Sequence, residues 1–102
     1  MQEVMIKGVE DGALRVVLSG EIDLGNAEAF YTETISAYQA APADVTFDCT
    51  ALNFIDSTTL GTFVKILKNL KANGHNVRIV NLQPKIKKLF LICSLDKIME
   101  IA

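Results

Sequence analysis

Residues 52–61 read Leu52-Asn53-Phe54-Ile55-Asp56-Ser57-Thr58-Thr59-Leu60-Gly61, and they form the most informative segment of the sequence. The order is apolar residues, then an acid and three hydroxyl side chains, then a helical pattern. We expect an apolar loop, anchored by Phe54 and Ile55, that turns into the first turn of a helix with Asp56 and Ser57 facing outward. The start of a helix has free backbone N–H groups and the positive end of the helix dipole, so it accepts added negative charge.

The residues alone leave two interpretations of this serine open. Asp56 or Ser57 can cap the helix by accepting a hydrogen bond from an N–H group in its first turn, which is a common arrangement. Alternatively, Ser57 is a phosphorylation switch. The residue pattern alone favours the cap, although Asp-Ser-Thr-Thr offers more hydroxyls than a cap requires.

The helix after this segment is predicted from about Ser57 to Ala72, because Asn73-Gly74 is a good stop signal. Its apolar stripe consists of Leu60, Phe63, Val64, Leu67 and Leu70. Its opposite stripe consists of Lys65, Lys68 and Lys71, which we interpret as a solvated face. Gly61 costs helix stability and therefore indicates either close approach of a partner or tight contact with the sheet beneath.

Upstream of this helix the pattern predicts three strands and a helix. Residues 4–9 and 14–18 form an antiparallel hairpin around Glu10-Asp11-Gly12, and residues 44–48 form a third strand. Residues 19–23 leave the second strand and lead into a helix from about Asn26 to Ala40. Its buried face is predicted to consist of Ala27, Phe30, Thr34 and Tyr38, with Tyr31 and Ile35 beside them.

Downstream, residues 77–80 form a fourth strand, and Pro84 suits the first position of a third helix. The buried stripe of that helix is predicted to be Ile86, Leu89, Phe90 and Cys93. Residues 95–101 are expected to add one more helical segment. Lys85, Lys87 and Lys88 open the third helix and are interpreted as surface charge, with contact to an acidic partner as the alternative.

Strands that alternate with helices indicate parallel crossovers, here joined to one antiparallel hairpin. The sequence therefore predicts a single α/β domain over residues 1–102. It has a mixed sheet of about four to five strands, an N-terminal β-hairpin and three to four helices.

Composition excludes several classes of function. Twelve acidic side chains against ten basic ones give a formal charge of −2, which argues against direct binding to nucleic acid. No apolar run reaches the roughly 18 residues that cross a membrane, and the N-terminus does not resemble a secretion signal. We therefore expect a cytoplasmic protein without membrane contact.

Catalytic and metal sites are not expected. Cys49 and Cys93 are interpreted as small buried apolar side chains, and His75 as an exposed turn residue. Neither a dinucleotide-binding nor a phosphate-binding glycine motif occurs, and no cofactor is predicted. The three aspartates at predicted strand ends could bind a cation, but aspartate is common wherever a strand gives way to a helix. These residues are Asp23, Asp48 and Asp56.

The block from Phe54 to Gly61 resembles the signature of the STAS domain, and most closely that of bacterial anti-sigma factor antagonists. Residues 19–23, 77–81, the helix from Pro84 and residues 95–101 are similar to other segments of that family, so the resemblance covers nearly the whole chain. Two positions depart from the family pattern. Thr59 stands where glycine is usual, which adds a β-branched side chain to the first turn of the helix and could alter how closely a partner approaches. Cys93-Ser94 stands where a glycine commonly precedes the last segment.

The resemblance implies a regulator that is not an enzyme. The unmodified form would bind an anti-sigma factor that is also an ATP-dependent serine kinase, and so release the sigma factor to RNA polymerase. Phosphorylation would separate the complex, and a PPM-type serine phosphatase would restore it. This is partner switching in transcription regulation, with Ser57 as the phosphorylated residue. The partner-binding residues would be Asp23, Asp56, Ser57, Thr58 and Gly61.

Two other classes stay open. The chain could be a STAS subunit of a transporter complex or of a large stress-signalling assembly. It could also be a small enzyme that uses the three aspartates and a metal ion.

Overall fold

In the computed structural model, which describes Met1 to Ala102, five strands and three helices form one α/β domain. The elements are β1 (Val4–Glu10), β2 (Ala13–Ile22), α1 (Ala27–Ala40), β3 (Asp44–Ile55), α2 (Ser57–Ala72), β4 (Val77–Val80), α3 (Pro84–Ile92), a 3-10 turn (Leu95–Lys97) and β5 (Glu100–Ile101). The strands lie in chain order in one sheet. Strand β1 is antiparallel to β2, and the remaining pairs are parallel. The predicted fold class is confirmed.

The N-terminal hairpin turns on two residues that both adopt positive φ. Asp11 has φ 52° and Gly12 has φ 82°, and their neighbours Glu10 and Ala13 pair across the two strands. A two-residue turn of this kind matches the right-handed twist of the strands it joins. The predicted Asp-Gly turn is therefore confirmed.

Strands β2 and β3 are longer than the sequence predicted. Residues 19–22, expected to leave the sheet, pair with residues 51–55, expected to form a loop. The register between the two strands shifts at two places, and Gly20 has φ 68°. Such bulges interrupt the alternation of inward and outward side chains, so the period-two pattern is lost while the strand continues. As a result Ile22 and Ile55 end their strands side by side.

Four phenylalanines hold the three helices on one face of the sheet. The Phe63 ring centre lies 5.1 Å from that of Phe30 in α1, 5.3 Å from Phe47 in β3 and 5.2 Å from Phe90 in α3. All four side chains are fully buried. Their edge-to-face packing adds favourable ring contacts to the burial of apolar area.

The helix stripes were predicted well for α1 and α2 and poorly for α3. The main stripe of α1 and four members of the α2 stripe are buried, whereas Val64 is only half-buried. In α3 only Ile86 and Phe90 are buried; Leu89 is 39% exposed and Cys93 is exposed as well. Helix α3 has nine residues, so one pair four positions apart is enough to contact the core. The interpretation of Cys93 as a buried side chain was wrong, whereas Cys49 is fully buried.

The C-terminal segment forms one 3-10 turn and then a short strand, so the expected additional helical segment is only partly correct. Residues 100 and 101 pair with Arg78 and Ile79, and the Ala102 N–H donates to the Ile79 carbonyl. This fifth strand pairs the free edge of β4. Ser94, before the 3-10 turn, has φ 57°, which explains why a glycine suits this position.

His75 is not the exposed residue that was expected. It is half-buried, and its Nδ1 lies 2.5 Å from the hydroxyl of Tyr38, near the end of α1. Burial, and secondarily the charge of Asp44, raises the pKa of Tyr38. The turn after α2 therefore packs against α1.

None of the helices is both long enough and apolar enough to pass through a membrane.

Candidate functional site

The candidate site lies at the edge of the sheet where β2 and β3 end side by side, before α1 and α2. Asp56 is the N-cap of α2, and its Oδ1 accepts a hydrogen bond of 3.0 Å from the Thr59 N–H. Asp56 has extended backbone dihedrals, φ −119° and ψ −175°, which are typical of an N-cap. Of the two residues considered for the cap, it is Asp56 that makes the bond.

Ser57, the first residue of α2, is therefore not needed as the cap. Its side chain is exposed. The side-chain hydrogen bonds at this edge join Asp56 and Thr59 to the chain around Ile22 and Leu24, and none of them involves the Ser57 hydroxyl. Ser57 is thus exposed at the start of a helix that Asp56 already caps.

The Asp56 carboxylate also joins α2 to the loop between β2 and α1. Its Oδ2 accepts a hydrogen bond of 3.0 Å from the Leu24 N–H. The Thr59 N–H, followed by that of Leu24 and the Thr59 hydroxyl, lowers the pKa of Asp56, so the group is ionised at neutral pH. Asp56 is half-buried, and both of its carboxylate oxygens accept hydrogen bonds. The expectation that Asp56 faces outward is therefore corrected.

Asp23 shapes the same loop. Its Oδ1 accepts a hydrogen bond of 2.9 Å from the Gly25 N–H, and its own N–H donates to Asn26 Oδ1 at 2.8 Å. The Asn26 side chain also donates to the Glu21 carbonyl at 2.9 Å. Asp23 and Asp56 thus lie at one edge, as predicted, and both carboxylates hold backbone in place.

Thr59 is buried, so its side chain is not part of the exposed surface at this edge, and its effect on the approach of a partner stays a prediction. Its hydroxyl donates to the carbonyl of Ile22 and lies 3.1 Å from Asp56 Oδ1. The side chain points inward, towards the end of β2. The Thr59 side chain therefore ties α2 to the end of the neighbouring strand.

Thr58 and Gly61 lie on the open side of α2. They line a groove between α1 and α2 together with Leu24, Ala27, Glu28, Tyr31, Thr32, Thr62 and Lys65. A Cβ atom built on Gly61 would meet no other atom within 4 Å. Tight contact with the sheet is therefore not the reason for this glycine, and its backbone is open to a partner. Lys65 lies 4.4 Å above the ring of Tyr31, so this lysine packs across the groove rather than being only solvated.

Two apolar residues of this edge were missed or misplaced by sequence reasoning. Leu24 is 76% exposed in the loop bonded to Asp56. Phe54, expected to be an anchor, is 47% exposed, whereas Ile55 is buried. The sequence did contain one indication of an exposed Leu24: it is an apolar residue between Asp23 and Gly25 that fits neither a helical nor a strand pattern.

Asp48 lies elsewhere, within β3 and away from the helix-covered face. Its Oδ2 is 2.6 Å from Nη2 of Arg15, and its Oδ1 accepts bonds from Thr50 and Asn81. The Thr50 hydroxyl is the main cause that lowers the pKa of Asp48 to about 2. The three aspartates, considered as possible cation ligands, do not form a cluster that could hold a metal ion.

Comparison with known proteins finds a matching family model and relatives of similar sequence. The family model described as "STAS domain" matches residues 5–102. The anti-sigma-B factor antagonist of Staphylococcus epidermidis is 30% identical over 91 residues, which is 89% of this chain and 84% of that protein.

Two solved structures share the fold. Protein tm1081 of Thermotoga maritima has a TM-score of 0.87 at 22% identity, over 96% of this chain and 84% of that one. The Bacillus cell fate determinant SpoIIAA in its phosphorylated form has a TM-score of 0.75 at 23% identity, over 97% of this chain and 90% of that one.

Proposed function

Because this chain belongs to the STAS domain family, we propose that it is a non-enzymatic anti-sigma factor antagonist switched by phosphorylation of Ser57. The unmodified protein binds an anti-sigma factor that is also a serine kinase, and so releases the sigma factor. The kinase phosphorylates Ser57 and the complex separates, and a PPM-type serine phosphatase reverses the step. The protein acts in the cytoplasm, without a cofactor and without direct contact to nucleic acid or membrane.

The observation that carries this proposal is that Asp56 and Ser57 have separate roles at the start of α2. Asp56 caps α2, so the exposed Ser57 hydroxyl is free to enter a kinase active site without loss of the cap. The relation to an anti-sigma-B factor antagonist supports the partner, and the known phosphorylated form of SpoIIAA supports the modification.

The electrostatics of the edge support a local switch. A phosphate adds about −1.5 to −2 charges at neutral pH, and a helix N-terminus favours an anion, so the fold should tolerate it. In the complex the same charge must be desolvated beside the ionised Asp56. Each ~1.4 kcal/mol lost from binding is a tenfold loss in affinity, so a few kcal/mol suffice to change partner.

Phosphate mapping tests the proposal. The protein is incubated with ATP and each purified anti-sigma factor kinase of its source bacterium, and the phosphate is located by mass spectrometry. We expect phosphate on Ser57, none on Ser57→Ala, and an unchanged level on Ser36→Ala, the variant of an exposed serine in α1 that does not line the groove. Phosphate on another residue in the wild type would count against the proposal. Co-purification with a membrane transporter or a stress-signalling assembly instead of a kinase would favour the alternative subunit function.

A further inference from the structure

We propose that Leu24 is the apolar anchor of the partner surface and inserts into an apolar pocket of the anti-sigma factor kinase, an inference that rests on the proposed function. At 76%, Leu24 is the most exposed large apolar side chain of the protein. Exposed single leucines are common and by themselves indicate nothing. Three further features distinguish this one: its position, the rigidity of its backbone and the groove beside it.

Leu24 lies beside the start of α2, where the proposed phosphorylation site is. The Leu24 N–H is bonded to the carboxylate of Asp56, the residue that directly precedes Ser57. A kinase that reaches the Ser57 hydroxyl must therefore also cover the Leu24 side chain, or leave a large apolar group at the rim of its contact. Burial of this leucine side chain in the complex would contribute on the order of tenfold to a hundredfold to the affinity.

The loop around Leu24 is already ordered in the free protein. Asp23 accepts from the Gly25 N–H, and Asn26 holds both the Asp23 N–H and the Glu21 carbonyl. A side chain on a fixed backbone loses little conformational entropy when it binds, which is typical of interface residues that dominate affinity.

The groove defines the chemistry of the partner. Leu24 lies at the groove between α1 and α2, whose walls carry Glu28 on α1 and Lys65 on α2. Gly61 leaves the groove open to an approaching backbone. The complementary kinase surface has an apolar pocket for Leu24 and a basic side chain opposite Glu28. A phosphate on Ser57 would keep water at the edge of this apolar contact, because a buried unpaired charge is costly.

Thr59 is a positioning residue for this anchor. Its hydroxyl bonds the Ile22 carbonyl, two residues before Leu24, while its N–H holds the Asp56 carboxylate that in turn holds Leu24. Thr59→Val keeps the shape of the side chain and removes the hydroxyl. It should loosen the loop and weaken binding only through Leu24.

The test is calorimetric titration with the purified anti-sigma factor kinases of the source bacterium. We expect Leu24→Ala to weaken binding about 30-fold. Ile92→Ala, which removes an equally large side chain that is 67% exposed at the end of α3, should stay within about twofold. Thr59→Val should weaken binding in the wild type and have little further effect in Leu24→Ala. Thermal melting confirms that each variant is folded.

The outcomes separate the two proposals. If the wild type binds a kinase and is phosphorylated on Ser57, but Leu24→Ala binds equally well, the anchor is refuted and the proposed function stands. If Thr59→Val weakens Leu24→Ala as much as the wild type, its positioning role is refuted. If the wild type binds no kinase and is not phosphorylated on Ser57, both proposals fail.

Discussion

At the start of α2, neighbouring residues have different tasks. Asp56 holds the helix start and the neighbouring loop, Ser57 carries a free hydroxyl, and Thr59 faces inward. From the sequence we could predict that an acid and a hydroxyl stand at a helix start. Which of the two caps depends on the direction of each side chain, and that direction is decided by hydrogen bonds to a loop 32 residues away.

Ser57 variants test the charge argument at this scale. We expect Ser57→Ala to bind the anti-sigma factor kinase as the wild type does, because the hydroxyl makes no internal hydrogen bond. Ser57→Asp should weaken binding at least tenfold, because it places a carboxylate where the partner must approach. Isothermal titration calorimetry measures both. Equal affinities of the two variants would reject an electrostatic switch.

At the scale of elements, local signals predicted the bounds of α1 and α2 well and those of the strands less well. Helix α2 begins at Ser57 and ends at Ala72 as expected, because a cap and an Asn-Gly stop signal mark its ends. Strands β2 and β3 extend further than their alternating patterns, since bulges break the period without ending the pairing. The same extension places Asp23 and Asp56 at one edge.

The cap of α2 can be tested by removal of its carboxylate. Asp56→Ala should lower the melting temperature by a few degrees, because it leaves the N–H groups of Thr59 and Leu24 without their acceptor. Asp96→Ala is the control, since Asp96 is exposed in the 3-10 turn. A melting temperature equal to that of the control would show that the capping bonds contribute nothing.

Ser94 offers a test of backbone strain. It has φ 57°, a conformation that costs a non-glycine residue about 1 kcal/mol, so Ser94→Gly should increase the free energy of unfolding by about that amount. Ser94→Ala should give no increase, because alanine retains the Cβ atom. Urea denaturation measures both variants. If alanine stabilised the protein as much as glycine, strain would not be the cause.

At the scale of the whole molecule, the mixed sheet with its N-terminal hairpin and the burial of Phe30, Phe63 and Phe90 follow from patterns that the sequence displays. The polar cluster around Asp48 does not, because it joins residues of β2 and β3 to Asn81, the residue after β4, and these are distant in sequence. Asp48 was grouped with the site aspartates as a residue near a strand end, whereas it lies inside β3 and pairs with Arg15. Contacts between residues that are distant in sequence form only in the assembled sheet, so local sequence patterns do not predict them.

Asp48 should make stability depend on acid pH. Its pKa of about 2 in the folded protein is below the value of an unfolded aspartate, so its contribution is complete above about pH 5. It is lost as the pH falls towards 2, and amounts to about 2 kcal/mol. Urea denaturation at about pH 6 and pH 2.5 should show a smaller decline for Asp48→Asn than for the wild type. An equal decline would exclude Asp48 as the cause.

The central claim is that a phosphate on Ser57 ejects a bound partner without changing the fold. The most direct test compares unmodified protein with protein phosphorylated only on Ser57, each titrated with the anti-sigma factor kinase. We predict that phosphorylation weakens binding by at least a hundredfold while the melting temperature stays within a few degrees. Equal affinity of the two forms would contradict the account.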